Sequence, residues 1–259
     1  MIVADHMTPN PITVGPSTPV QEALRIMEES AVRHLPVLVD RRLVGVVSDR
    51  DLFAIPPPVL SVLETSVGEV MQREVVTVEP ADSIVSALVE FLCNGIGCLP
   101  VVEGELLLGI ITEFDLLELY RRCALEGVEE DPPVGRVVHS KALTVGPNVP
   151  YSELSELCKT NGFRHLPVVE GNELVGILSE RDLRRAMGIG VQEHVPAKEL
   201  MATRPQITSR DEPLSVAAGR MLEHRISALP VLGGDNLGIL TSFDVLDHGL
   251  AAIREQAAS

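Results

Sequence analysis

The sequence predicts a mixed α/β (α+β) fold built from four copies of one βαββα unit, and three observations predict it. First, "RHLPV" at 33–37 returns as "GCLPV" at 97–101, "RHLPV" at 164–168 and "SALPV" at 227–231, so Pro36, Pro100, Pro167 and Pro230 step by 64, 67 and 63 residues. Second, each is followed at matching distance by one segment: "LVGVVSDRDL", "LLGIITEFDL", "LVGILSERDL" or "NLGILTSFDV". Third, each is preceded by a β-prone stretch ("PITVGP", "VVTVEP", "ALTVGP", "QITSRD") and, before that, by a one-turn pattern ("VADHM", "VGEVM", "VGRVV", "AKELM"). Self-similarity in a fixed order at a fixed period is the signature of a repeat architecture.

Within the first unit the elements follow in order. "ITV" is β-branched and ends at Gly15-Pro16, a turn. "STPVQEALRIMEES" reads as a helix: Thr18 is placed to cap it, Pro19 suits the first helical position, and Gln21 completes a capping box. Val20, Leu24 and Met27 or Ile26 form its apolar stripe. "HLPVLV" and "RLVGVVS" are short strands around a turn, apolar enough to be buried on both faces, and "DRDLFAI" opens a second helix. One unit is too small to bury its own sheet face, so units should pack in pairs.

The pairing is also visible. Residues 13–52 align with 144–183 at a constant offset of 131, and repeat 2 aligns with repeat 4 at an offset of 130, as a duplicated two-repeat module would. The expected repeats are 1–62, 63–126, 130–190 and 193–252, with linkers at 53–66, 124–133 and 187–196. The acidic middle linker, which ends in Pro-Pro, marks the module boundary.

Composition narrows the function. The 259 residues are 45% apolar but only 3% aromatic, without tryptophan, so the core must be aliphatic. A net charge of −16 opposes binding to a nucleic-acid polymer or an anionic membrane. No apolar run is long enough to span a bilayer, and no signal peptide is evident. Cys93, Cys98, Cys123 and Cys158 fit neither a zinc pattern nor a redox pair, which suits free thiols in a cytoplasmic protein. No metal site, nucleophile–base pair or phosphate-binding loop is evident, so no catalytic residue is assigned and an enzyme is not expected.

Two patterns carry chemistry. Ser48 with Asp51, Thr112 with Asp115, Ser179 with Asp182 and Thr241 with Asp244 repeat one [ST]-x-x-D spacing. On the residues alone this is a helix capping box or a ligand clamp, and duplication copies either. The second pattern is an alternation. Arg33, His34 and Arg50 in repeat 1 match Arg164, His165 and Arg181 in repeat 3, whereas repeats 2 and 4 carry Gly97, Cys98, Phe114 and Ser227, Ala228, Phe243 at those places. Arginines near a helix start suit a phosphate; surface ion pairs with neighbouring acids, and core histidines, are the alternatives.

The quartet of "h-P-V" followed by "G-h-h-[ST]-x-x-D", where h is apolar, resembles the cystathionine β-synthase (CBS) domain over almost the whole chain. Repeat 4 is also similar to a repeat of the AMP-activated protein kinase gamma subunit, a four-CBS chain. The resemblance implies two tandem-pair (Bateman) modules, each with a pseudo-twofold axis, assembling as a disc within one chain or between two, the latter making a homodimer. It implies regulatory binding of AMP, ADP, ATP or S-adenosylmethionine, with no required cofactor. Ribose would lie on Ser48 and Asp51, Thr112 and Asp115, Ser179 and Asp182, and Thr241 and Asp244. Phosphates would lie on Arg33, His34, Arg50, Arg164, His165 and Arg181. The base would lie against Ile12, Thr13, Val37, Leu143, Thr144 and Val168. With repeats filling the chain, output would pass to an unidentified partner protein. The alternative is an interaction scaffold whose sites have degenerated.

Overall fold

The structure is a computed structural model and describes residues 1–53, 65–128, 130–138, 141–161, 163–188, 190–233 and 236–249. The central part of the expected linker at 53–66 lies outside the described residues, as does the end of repeat 4 beyond residue 249. Each repeat has a helix packed on an antiparallel hairpin. The hairpins pair His34–Val39 with Arg42–Ser48, Cys98–Glu103 with Leu106–Thr112, His165–Glu170 with Glu173–Ser179, and Ala228–Leu232 with Gly238–Thr241. The helices are Val20–Glu29, Ile84–Asn94, Tyr151–Asn161 and Leu214–His224. A second helix follows each hairpin: Asp49–Phe53, Glu113–Leu125, Glu180–Gly188 and residues 242–249.

The first helix buries Val20, Ala23 and Met27, close to the expected stripe. Its start differs from expectation. Pro19 occupies the N-cap, without a side-chain cap, and the Thr18 hydroxyl accepts from the Gly15 N–H at 3.2 Å. Thr18 therefore closes the preceding turn instead of capping the helix, since Pro19 already fixes the extended entry geometry.

The one-turn patterns form Val3–Asp5, Val67–Val70, Val134–Val137 and Ala197–Leu200. Each arm packs on the other repeat of its module. Thr8 and Pro9 pair with Ile110 and Gly109 of repeat 2, whereas Val67 and Met71 join the core of repeat 1. In the second module Val134 and Val138 join the core around repeat 4, and Ala197 that of repeat 3. A repeat therefore folds with a borrowed arm.

Glycines admit these arms. A Cβ on Gly45 would lie 2.7 Å from Met71 Sδ and 2.8 Å from the Gln72 carbonyl oxygen. The methionine can move, but the carbonyl accepts from Val46 N–H at 3.0 Å. Gly45→Ala should therefore destabilise the fold by about 1–3 kcal/mol through overpacking, read as a lowered urea midpoint. An unchanged midpoint would show that the arm is not seated there.

The two modules meet within one chain. Repeats 2 and 4 share one hydrophobic core, which runs from Ile84, Leu88 and Phe91 through Leu117 and Tyr120 to Leu214, Met221 and Leu246. Phe91 stacks on Phe243 with centroids 5.3 Å apart. Repeats 1 and 3 keep separate cores, centred on Leu35 and Val37 and on Leu166 and Val168. The contact order is thus a ring, 1–2–4–3, with polar groups gathered where repeats 1 and 3 meet. Among the described residues no helix is long and apolar enough to cross a membrane.

Candidate functional site

Every [ST]-x-x-D segment lies where the hairpin's second strand runs into the following helix. The local geometry is a reciprocal capping box. Ser48 N–H and Oγ–H donate to Asp51 Oδ2 at 2.9 and 2.6 Å, and Asp51 N–H donates back to Ser48 Oγ at 3.2 Å. Asp115, Asp182 and Asp244 accept the same two bonds at Oδ2 from Thr112, Ser179 and Thr241, at 2.6–2.8 Å. The box occupies one carboxylate oxygen and leaves the other outside it. Asp51 Oδ1 accepts only a long bond from Gln72 Nε2, at 3.3 Å, and Asp115 Oδ1 one from Thr8 Oγ1, at 3.5 Å. Cap and clamp are therefore compatible, because a ligand hydroxyl could replace the longer partner without opening the box.

The swapped arms put a different segment from the expected base slot beside Asp51. The first-strand segment beside Asp51 is that of repeat 2, with Gln72, Glu74, Val75 and Val76 lining the same cleft. Ile12 and Thr13 of repeat 1 are absent from this lining, and so are Leu143 and Thr144 of repeat 3. Ile12 and Leu143 are exposed, while Val37 and Val168 are wholly buried in the cores of repeats 1 and 3. The physical reason is the arm crossing, which brings the residues after Met71, not those after Met7, to the edge of the hairpin that carries Asp51.

The cleft, of about 450 Å³, opens where all four repeats converge. Ser48, Asp51 and Ser179 line it; Asp182 closes its box next to Ser179 but is not part of the lining. Of the four expected ribose clamps, those of repeats 2 and 4 are not at this cleft. Thr112 and Asp115 lie outside this lining, and so do Thr241 and Asp244. Asp244 is a helix cap there, accepting from the Thr241 N–H at 2.7 Å and from its hydroxyl at 2.6 Å. The reason is packing. Phe114 and Phe243, one residue before Asp115 and Asp244, rest against the apolar core shared by repeats 2 and 4. These helix starts then present Glu113 and Phe243 to the cleft in place of their aspartates. All six residues of the two basic trios line it.

The alternation of basic and neutral repeats has a packing basis. The Arg33 guanidinium lies over the Phe114 ring at 5.0 Å and that of Arg164 over Phe243 at 5.1 Å, so each arginine of an odd repeat rests on the phenylalanine of its even partner. His34 leans on Gly97, where a Cβ would come within 2.6 Å of the ring, which explains the missing side chain. Arg33 also donates to the carbonyl of Arg225 at 2.6 Å, and Arg164 to that of Gly95 at 3.4 Å; both acceptor residues sit at the C-cap of a helix. Repeats 1 and 4, and 3 and 2, are thereby tied across the centre.

The arginines are not free. Arg33 pairs with Glu113 at 2.9 Å and Arg50 with Glu180 at 3.0 Å. Arg181 Nε lies 2.5 Å from Asp49, although its N–H does not point at that oxygen, so the contact is ionic more than hydrogen-bonded. Arg184 pairs with Glu180 at 2.5 Å. Five guanidinium groups (Arg33, Arg50, Arg164, Arg181, Arg184) face five carboxylates (Asp49, Asp51, Glu74, Glu113, Glu180) along the lining, which makes the cleft near neutral. Sequence analysis offered Asp49 as a neighbouring partner for Arg50 but did not single out Glu113 or Glu180, and in the structure Arg50 pairs with Glu180 while Asp49 takes Arg181. The signal was there: Asp49-Arg50 and Glu180-Arg181 repeat one acid–base order.

Enclosure sets the protonation of the cleft. Burial holds both His34 and His165 near a pKa of about 4, and the Arg33 and Arg181 charges push the same way. Both rings are therefore neutral at pH 7. Burial also pushes the Cys98 thiol up to about 12, aided by the Asp51 charge. Glu180 stays below the usual carboxylate range although burial pushes it up, because the Arg184 hydrogen bond and the Arg50 charge prevail. Among the described residues no cluster of His, Cys, Asp or Glu is arranged to hold a metal ion.

Comparison with known proteins gives the family. The CBS domain model matches four times, over residues 3–56, 67–122, 134–189 and 197–251. Protein MJ1225 of Methanocaldococcus jannaschii is 28% identical over 92% of this chain and 94% of its own length. Its crystal structure, described as that of a candidate archaeal homolog of g-AMPK, superposes with a TM-score of 0.80 at 26% identity, covering 96% of this chain and 99% of that one. Protein MJ1404 of the same organism is 30% identical over 95% of this chain, which spans 61% of that protein. A Pyrococcus horikoshii protein shares the fold at 23% identity, with a TM-score of 0.68 over 96% of this chain and all of its own. With four matches that fill most of its length, this chain belongs to the CBS domain family.

Proposed function

We infer that the chain is a regulatory module that binds a purine nucleotide (AMP, ADP, ATP or another adenosyl ligand such as S-adenosylmethionine) among its repeats and controls a partner protein in trans. The observation that carries this reading is the cleft itself. Asp51, a candidate diol acceptor, and five guanidinium groups line it together with four further carboxylates, in a volume of about 450 Å³ that suits a nucleotide. Asp51 Oδ1 would exchange its long bond to Gln72 for the ribose hydroxyls. A hydrogen bond to a charged group contributes roughly 1.5–3 kcal/mol. Val75 and Val76 would offer apolar surface to the base. The resemblance of MJ1225 to g-AMPK supports an adenine nucleotide over other anions.

One observation favours a scaffold without a ligand: the cleft's arginines already have partners in the protein. A thermal-shift panel of AMP, ADP, ATP, S-adenosylmethionine and NAD separates the two readings. At a hundredfold excess over Kd a bound ligand should add about 2.7 kcal/mol of stability. Absence of any shift across the panel would leave the scaffold.

A further inference from the structure

The ring of repeats is closed by two unlike edges. Repeats 2 and 4 meet through one continuous apolar core, reinforced by the Phe91–Phe243 stack and the edge contact of Tyr120 with His248. Between repeats 1 and 3 no buried apolar cluster is shared among the described residues. That edge is joined by charge. Arg50 reaches Glu180, Arg181 reaches Asp49 in the mirrored direction, and Arg185 reaches Glu28 at 3.4 Å. Exposed or half-exposed ion pairs are individually weak and readily replaced by another anion, whereas a shared core must stay shut or lose its burial.

Arg50 and Arg181 are therefore needed twice. They close the 1–3 edge, and they are the groups a ligand's phosphates would require in the cleft. A phosphate that takes them must release Glu180 and Asp49. We propose that the molecule is a hinged clasp in which the 2–4 edge is the hinge and the Arg50–Glu180 and Arg181–Asp49 pairs are the latch, so that a polyphosphate ligand opens the 1–3 edge by competing for its arginines. The surface uncovered is that of helices Asp49–Phe53 and Glu180–Gly188. By linkage, whatever binds the open edge binds nucleotide-loaded protein more tightly. The inference rests on the phosphate-binding reading of the cleft.

The test is hydrogen exchange on the full chain, wild type and Asp49→Asn/Glu180→Gln. The variant removes the latch charges and leaves the arginines and both cores in place. Without ligand, its amides in Asp49–Phe53 and Glu180–Gly188 should exchange about tenfold faster than in wild type, while Glu113–Leu125 and Leu214–His224 are unchanged. Saturating ATP should produce the same pattern in wild type. ATP affinity of the variant should rise on the order of fivefold, because the competing carboxylates are gone. Unchanged exchange in the ligand-free variant would overturn the latch. Calorimetric binding of ATP to wild type without faster exchange at the 1–3 edge would overturn the coupling and leave the nucleotide site standing. Failure of wild type to bind any adenosyl ligand would remove the site and the coupling with it, while the ligand-free comparison would still report on the latch.

Discussion

Alanine at Asp51, the aspartate that lines the cleft, should weaken AMP, ADP, ATP and S-adenosylmethionine by one common factor, on the order of 10- to 100-fold. These ligands share the adenosyl ribose and differ in everything attached to it, so losing a diol acceptor must cost them alike. Arg50→Ala with Arg181→Ala should behave differently. ATP should lose most, ADP and AMP progressively less, and S-adenosylmethionine, which has no phosphate, least. The graded loss is sharpened because removing the arginines strands Asp49 and leaves Glu180 with Arg184 alone, so the cleft becomes more negative and repels each added phosphate charge. Calorimetric titration of the four ligands into both variants decides the matter. If the aspartate variant spares S-adenosylmethionine, or the arginine variant weakens it as much as ATP, the assigned roles are wrong. Because Asp51 also completes a capping box, the alanine costs about 1 kcal/mol of stability in addition. Asn at the same position keeps an acceptor for the box while removing the charge, and so separates a binding defect from a folding defect.

How far the sequence disclosed this arrangement depends on the range of the interactions involved. The repeat unit was legible because each of its elements is set locally: β-branched runs, glycine or Asp-Arg turns and the [ST]-x-x-D helix start recur four times. The arm swap was not. "VGEVM" reads equally well as the start of repeat 2 or as a strap over repeat 1, and only the fit of Met71 against Gly45 decides. The position of Ile12 and Thr13 away from the Asp51 cleft follows from that single ambiguity.

At the site, the Ser/Thr–Asp spacing and the Arg/Phe alternation were both visible. Their partners were not, because Arg33 over Phe114 and Arg50 against Glu180 join residues far apart in the chain. The same spacing could not tell Asp51, which lines the cleft, from Asp244, which does not, because the difference lies in which core each helix start packs on. In a chain with 37 acidic and 21 basic residues, sequence gives an arginine too many candidate carboxylates to choose among. The glycine in "GCLPV" becomes intelligible only with the His34 ring resting on it.

Acidification should destabilise the protein well before its carboxylates titrate. His34 and His165 each have a folded pKa near 4 against an unfolded value near 6.5, with burial the leading cause. The folded state thus holds fewer protons than the unfolded chain between those limits. Stability is complete above pH 6.5 and is lost as pH falls, at about 1.4 kcal/mol per pH unit for each histidine, reaching roughly 3 kcal/mol for each at pH 4. His6, lowered first by burial and then by the Arg122 charge, adds in the same direction. Most carboxylates titrate below pH 5, so the interval from 6.5 to 5 isolates the histidines. Urea unfolding across that interval should show the slope, and His34→Asn with His165→Asn should flatten it. A variant as steep as wild type would place the lost protons elsewhere. A phosphate among Arg33, Arg164 and the two rings would reverse the penalty, because it favours the imidazolium it faces. Nucleotide should then stabilise the protein more at pH 5.5 than at pH 7.5, and its binding heat at pH 5.5 should vary with the ionisation enthalpy of the buffer as protons are taken up.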